Sequence, residues 1–181
     1  MNKDIHIAII AESHAKEDED VTIAGFTWIG SEARTGASGG VGILTRNCIA
    51  NQVKVLPIKN DLIETGRLVK ATYKDICILG VYAPNDNSKE VTIKNYFQGL
   101  WNEIELEMKS KHLIVCGDFN SKIAGYWSNT SNLGGELLQT IAEMAELNII
   151  NSKEEPTRRE QKGAKIIKSI IDYTLVSQEL D

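Results

Sequence analysis

Gly117-Asp118-Phe119-Asn120 follows directly on an unbroken apolar run, Leu113-Ile114-Val115-Cys116. Where a buried strand returns to solvent, a carboxylate and a carboxamide can face a cleft. Gly117 permits a tight exit, Asp118 can activate water or hold a metal ion, and Asn120 can donate to a phosphoryl oxygen. The same residues also suit an ordinary strand-ending turn. Three further stretches carry comparable groups: Glu12 after Ile9-Ile10-Ala11, Tyr82 in Gly80-Val81-Tyr82-Ala83-Pro84-Asn85, and Asp172 in Ser169-Ile170-Ile171-Asp172-Tyr173. Singly they read as a solvated carboxylate, an edge aromatic and a structural acceptor. A charge inside an apolar strand is nevertheless costly without a partner. Together the four stretches supply hard oxygen ligands for Mg²⁺, a phosphate donor and a water activator.

These groups need strands to place them. Residues 5–11, 21–29, 41–44, 53–58, 68–73, 76–82, 148–151 and 169–176 have strand-type patterns, with a glycine-rich turn at 36–40 and a tight hairpin at Lys74-Asp75. The run 113–116 reads as a strand buried on both faces. Asn87, with Glu90 three residues on, predicts a capped helix whose stripe is Ile93, Tyr96, Phe97, Leu100, Trp101, Ile104 and Met108. A polar loop with Trp127 precedes a second helix, with Leu137, Leu138, Ile141 and Ala145 on one face. The expectation is an α/β (α+β) two-sheet sandwich, helices covering its outer sides, in a single domain over 1–181.

Composition narrows the class. The chain has 181 residues, 42% hydrophobic and 25% charged, which suits a globular protein. No apolar run is long enough to span a bilayer, and no secretory signal is evident, so an intracellular protein, nuclear or cytoplasmic, with no membrane partner is expected. Cys48, Cys77 and Cys116 read as reduced, buried thiols. The net charge of −5 excludes a chain that grips nucleic acid through a generally basic surface. The basic cluster Arg158, Arg159, Lys162, Lys165 and Lys168 reads either as a solvated loop or as a phosphate-contacting patch.

In order and spacing, Glu12, the Tyr82-Ala83-Pro84 element, Gly117-Asp118-Phe119-Asn120 and Ser169-Ile170-Ile171-Asp172 resemble the endonuclease/exonuclease/phosphatase superfamily, which includes deoxyribonuclease I and the abasic-site repair endonucleases. The resemblance covers nearly the whole chain. Residues Ser38 to Leu44, Trp127-Ser128, Pro156-Thr157-Arg158 and Ser169 to Ser177 resemble the branch carried by LINE-type (non-LTR) retrotransposons. It implies a deoxyribonuclease I-like fold and Mg²⁺-dependent nicking of DNA, with Mn²⁺ as a substitute, beside a reverse-transcriptase domain in a longer polyprotein. Glu12 would bind the cation and Tyr82 the scissile phosphate. Asp118 would orient or deprotonate the attacking water, Asn120 would position Asp118, and Asp172 would hold a histidine in its working tautomer. Asn85, Ser169 and Arg158 would contact substrate.

The sequence departs from that pattern at both ends. The family's closing Ser-Asp-His element has no counterpart, and His6, His14 and His112 match no part of it. The family's opening strand, with its asparagine near the metal, is also unmatched. The expectation is therefore a domain truncated at both ends, with terminal strands missing, weak or inactive in catalysis and marginally stable. Two alternatives stay open: a non-catalytic remnant, and a phosphatase or lipid phosphodiesterase of the same superfamily.

Overall fold

The computed structural model describes residues 4–15, 21, 23–30, 39–64, 66–109 and 112–180. Its strands are β1 (Ile7–Ala11), β2 (Phe26–Gly30), β3 (Val41–Arg46), β4 (Val53–Leu56), β5 (Leu68–Tyr73) and β6 (Ile76–Tyr82). Helix α1 (Glu90–Glu107), β7 (His112–Asp118), α2 (Leu133–Met144) and β8 (Leu147–Ile149) follow. The chain then runs through β9 (Arg158–Lys162), β10 (Lys165–Ser169) and β11 (Asp172–Ser177). Most of the expected glycine-rich turn, Ser38 included, lies outside the described residues.

Six strands form one sheet in the order β4-β5-β6-β7-β11-β8, and three form another in the order β1-β3-β2. In the larger sheet only β6 and β7 run parallel, joined through α1; every other pair is antiparallel. A parallel pair needs such a crossover, whereas β5 and β6 close directly through Lys74-Asp75, with Lys74 at φ +56°. The two-sheet sandwich expected from sequence is the architecture found.

Two apolar clusters hold it together. Leu100 and Ile104 of α1 and Leu138 of α2 are fully buried against Leu79, Leu113, Val115 and Leu175 of the six-stranded sheet. On its other face, Val69, Ala71 and Ile78 meet Val41 and Ile43 of the smaller sheet. Both helices thus share one outer side, where the sequence suggested cover on both. The apolar stripe of α1 is borne out, but its cap is not. Lys89 is the N-cap and no side chain caps the helix, because Asn87 lies in the exposed turn before it. Asn132 does cap α2, its side-chain oxygen accepting from the Gly135 N–H at 2.9 Å.

Several boundaries differ from the sequence reading. Strand β7 is buried on one face only: Leu113 and Val115 are sealed, while Ile114 and Cys116 are half-buried and line a groove with Ile7 and Ile9 of β1. The expected strand at 169–176 is two strands broken at Ile170 and Ile171. The basic segment is neither loop nor apolar strand but the exposed β9–β10 hairpin. Cys77 is buried as expected and Cys48 is exposed. Burial pushes the Cys116 thiol up to about 12, so it is held protonated and inert. No helix among the described residues is long and apolar enough to cross a membrane.

Candidate active site

Strand register brings the chemical groups into a row. Tyr82, the last residue of β6, is paired with Asp118, the last of β7, and Asp118 is paired with Asp172, the first of β11. Three adjacent strands therefore deliver a hydroxyl and two carboxylates to the same edge of the sheet. Gly117 makes this packing possible. It sits at φ +138°, and an added Cβ would lie 2.1 Å from the Val81 carbonyl oxygen, so any side chain here would force β6 and β7 apart.

Beyond the strand ends, short loops are tied across one another. The Asp118 carbonyl accepts from Ala83 N–H at 2.8 Å, and Phe119 N–H donates to Ile171 O at 2.9 Å. Asn120 occupies the left-handed region (φ +47°), a conformation asparagine tolerates better than most residues. From there its backbone N–H donates to Asp118 Oδ1 at 2.8 Å and its side-chain amide to Ala83 O at 3.0 Å. The Asp118 carboxylate thus accepts from the backbone of Asn120. Asp172 is held through its backbone: its carbonyl accepts from Asn151 Nδ2 at 2.9 Å, and its N–H reaches Thr157 Oγ1 at 3.3 Å.

Glu12 comes from the other sheet, one residue past β1, also in the left-handed region (φ +53°). Backbone bonds from Ser13 N–H to Gly40 O (3.1 Å) and from His14 N–H to Gly39 O (3.0 Å) fix the segment after it. Its Oε1 accepts from the Tyr82 hydroxyl at 2.7 Å, which links the two sheets at the site. Glu12, Asn85, Asp86, Asn87, Asp118, Asn120, Lys122, Thr157, Arg158 and Asp172 line one polar pocket. The structure therefore brings Glu12, Asn85, Asp118, Asn120, Arg158 and Asp172 together, with Tyr82 bonded to that set. Ser169 is not among them. It is buried at the end of β10, opposite Arg158 in the hairpin register.

The electrostatics are those of a mainly acidic pocket. Burial, then repulsion from Asp172 and Glu12, pushes the Asp118 carboxyl up to about 6, against the pull of the Asn120 N–H and Arg158. Burial and the Glu12 carboxylate push the Tyr82 hydroxyl up to about 12, keeping it a donor. Two residues unmarked by sequence support this arrangement. The Arg67 guanidinium lies 5.4 Å from the Tyr82 ring centroid, with its Nη1 3.4 Å from the Tyr82 carbonyl and its Nε donating to Glu64 at 2.9 Å. Lys122 stands in the pocket two residues after Asn120. Neither follows a strand-end pattern, so neither carried a readable signal. Among the described residues, no three His, Cys, Asp or Glu are placed to grip an ion together, and none of the residues lining the pocket is a histidine.

A sequence family described as endonuclease-reverse transcriptase matches residues 76–181, the segment that carries Tyr82, Asp118, Asn120 and Asp172. The chain belongs to that family. No curated protein matches it in sequence. Among solved structures, the chain resembles the endonuclease domain of TRAS1, a telomere-specific non-LTR retrotransposon. The identity is 21% and the TM-score 0.69, over 96% of this chain and 74% of that one. It also resembles NExo, a 3′ phosphatase from Neisseria solved with a product DNA hairpin, at 19% identity and TM-score 0.77, over 98% and 78%. The Xenopus laevis APE2 catalytic domain is similar at 14% identity and TM-score 0.72, over 98% and 75%. At these identities the likeness is one of fold, and it matches the deoxyribonuclease I-like expectation.

Proposed function

We propose that this chain is the DNA-nicking domain of an endonuclease-reverse transcriptase polyprotein, hydrolysing a phosphodiester with the help of a divalent cation. The observation that carries the reading is the row Tyr82–Asp118–Asp172 across three adjacent strands, opening on a pocket that also holds Glu12, Asn85 and Asn120. Asp118, ionised and aimed by the Asn120 N–H, takes the proton from an attacking water. The Tyr82 hydroxyl, now on Glu12, turns its donor to a non-bridging phosphate oxygen as charge develops there. Asn120 holds the loop, and Asn85 and Arg158 steady the phosphate from the rim.

The donor chemistry fits Mg²⁺. Such an ion takes oxygen ligands, commonly only one or two carboxylates, and keeps several waters, so a three-residue cage is not required. Repulsion among Glu12, Asp118 and Asp172 is what a cation would relieve. Glu12 would hold it, and its charge would offset that of the phosphate.

The test is nicking of supercoiled plasmid by the whole chain, with Mg²⁺ or with chelator, beside Asp118→Ala. Cation-dependent nicking lost in the variant supports the proposal. Release of inorganic phosphate from 3′-phosphate ends without nicking supports a phosphatase instead. Well-folded protein with neither activity supports a non-catalytic remnant.

A further inference from the structure

The pocket presents a problem for its own substrate. Four carboxylates line it, from Glu12, Asp86, Asp118 and Asp172, against the cations of Lys122 and Arg158. A polyanion approaching it meets net repulsion, on a chain whose overall charge is already −5. Beside a bound cation, attraction comes from the basic side chains built into the pocket itself. Arg158 is exposed, on the β9–β10 hairpin, and its guanidinium is engaged with Glu160 at 3.3 Å. Lys122 is different, because its position is fixed from several sides.

Its Nζ lies 3.0 Å from Asp86 Oδ2. The other oxygen, Asp86 Oδ1, accepts from Asn132 Nδ2 at 2.8 Å, and Asn132 Oδ1 accepts from the Lys122 backbone N–H at 2.9 Å. The three residues close a ring that begins and ends on Lys122. The ring is anchored in turn. Asn132 is the cap of α2, and a Cβ on Gly135 would lie 1.9 Å from the Lys122 carbonyl oxygen, so the helix packs directly against the Lys122 peptide. An exposed ion pair of this kind adds about 1 kcal/mol or less to stability, so the ring is poorly explained as a stabilising device. What it does is hold an ammonium at the rim of an acidic pocket.

Resting on the reading of this pocket as a DNA-nicking site, we propose that Lys122 is a phosphate-binding residue for the DNA strand. It engages the backbone phosphate adjacent to the one presented to Asp118. Two residues of chain span at most about 7 Å between their Cα atoms, and Lys122 and Asn120 line the same pocket. An ammonium has three donors, so Lys122 need not release Asp86 to bind phosphate. Asp86 and Asn132 are positioning residues for it.

The experiment uses the full chain and a short fluorescein-labelled DNA duplex titrated at a series of NaCl concentrations, with plasmid nicking followed in parallel. Lys122→Met is expected to weaken binding roughly fivefold and to reduce the slope of log affinity against log salt by about 0.9, the signature of one lost phosphate contact. Lys122→Arg restores both. Asp86→Asn breaks the ring yet keeps the cation, so it retains the wild-type slope. If Lys122 only closes the loop, Lys122→Met and Asp86→Asn lose affinity alike and the slope stays put, which overturns the proposal. A wild-type chain that binds and nicks DNA while Lys122→Met matches it in affinity and slope also overturns it and leaves the proposed function standing. A wild-type chain that neither binds nor nicks DNA removes the proposed function, and this inference with it.

Discussion

Carboxylates leave bulk water in two regions of this protein, and the two are treated in opposite ways. Under α1, Glu103 and Glu107 are buried, and one ammonium serves both: Lys70 Nζ of β5 lies 2.6 Å from Glu103 Oε2 and 3.2 Å from Glu107 Oε1. Glu103 Oε1 also accepts from Lys59 N–H at 2.7 Å. Burial alone pulls the Lys70 ammonium down, but its bonds to Glu103 and Glu107 outweigh that and raise it. Where β1, β7 and β11 meet the pocket, burial and the charges of Asp172 and Glu12 push the Asp118 carboxyl up to about 6. In one region the carboxylates are bonded to a shared ammonium that fastens a helix to a sheet. In the other, Asp118 has no cation bonded to it among the described residues, which is the condition for receiving a cation or a proton.

The largest effect should come from inverting the first region. Lys70→Met leaves two buried carboxylates without their cation and is expected to cost about 3–5 kcal/mol in a urea melt, whereas replacing Lys70, Glu103 and Glu107 together by apolar residues of similar size recovers most of it. If Lys70→Met melts like wild type, the contrast between the regions collapses. Next, Asp118→Asn should lower nicking by roughly 1,000-fold, the loss of a proton acceptor. Its stability should move the other way. Because the folded carboxyl binds protons up to about 6 and the unfolded one only to 3.8, wild-type stability falls as pH rises through that window. The amide escapes the loss, so Asp118→Asn should melt above wild type at pH 8 and lose that advantage near pH 4.

Tyr82→Phe removes a donor to the phosphate and should lower kcat by roughly 100-fold with little change in KM. Smallest is the electrostatic coupling itself. Nicking should rise about tenfold per pH unit below about 6 and level off above it. In Asp172→Asn the remaining activity should level off at a lower pH, because one repelling charge is gone; an unmoved limb would place the source of the Asp118 shift elsewhere.

The site was more legible in the sequence than the framework that steadies it. Glu12, Tyr82, Asp118 and Asp172 each sit at or beside the end of an apolar run, and a short motif read along the chain captures that. Their convergence depends on strand order, which no local pattern specifies: β11 lies between β7 and β8, although β8 precedes it. Lys70 and Glu103 are 33 residues apart and meet only because α1 crosses over β5. The capping box at Asn87 and Glu90 was a correct local pattern that tertiary context overrode: Asn87 faces the pocket, and the helix begins without a side-chain cap. The β9–β10 hairpin was missed because its residues are polar or exposed on both faces, so the alternation that marks a half-buried strand is absent.

The position of β11 also sets a timetable. As the chain is synthesised, β8 is made before the strand it must pair with, because among the described residues its sheet neighbour is β11. The larger sheet can reach β7 early, but it cannot be completed, nor Asp172 set beside Asp118, until residues 172–177 have emerged and entered between two strands already made. Partners this far apart in sequence are slow to find one another, and the waiting edge of β7 is exposed to wrong pairing. A nascent or interrupted chain would therefore carry a folded helical face while Asp172 is still missing from the row.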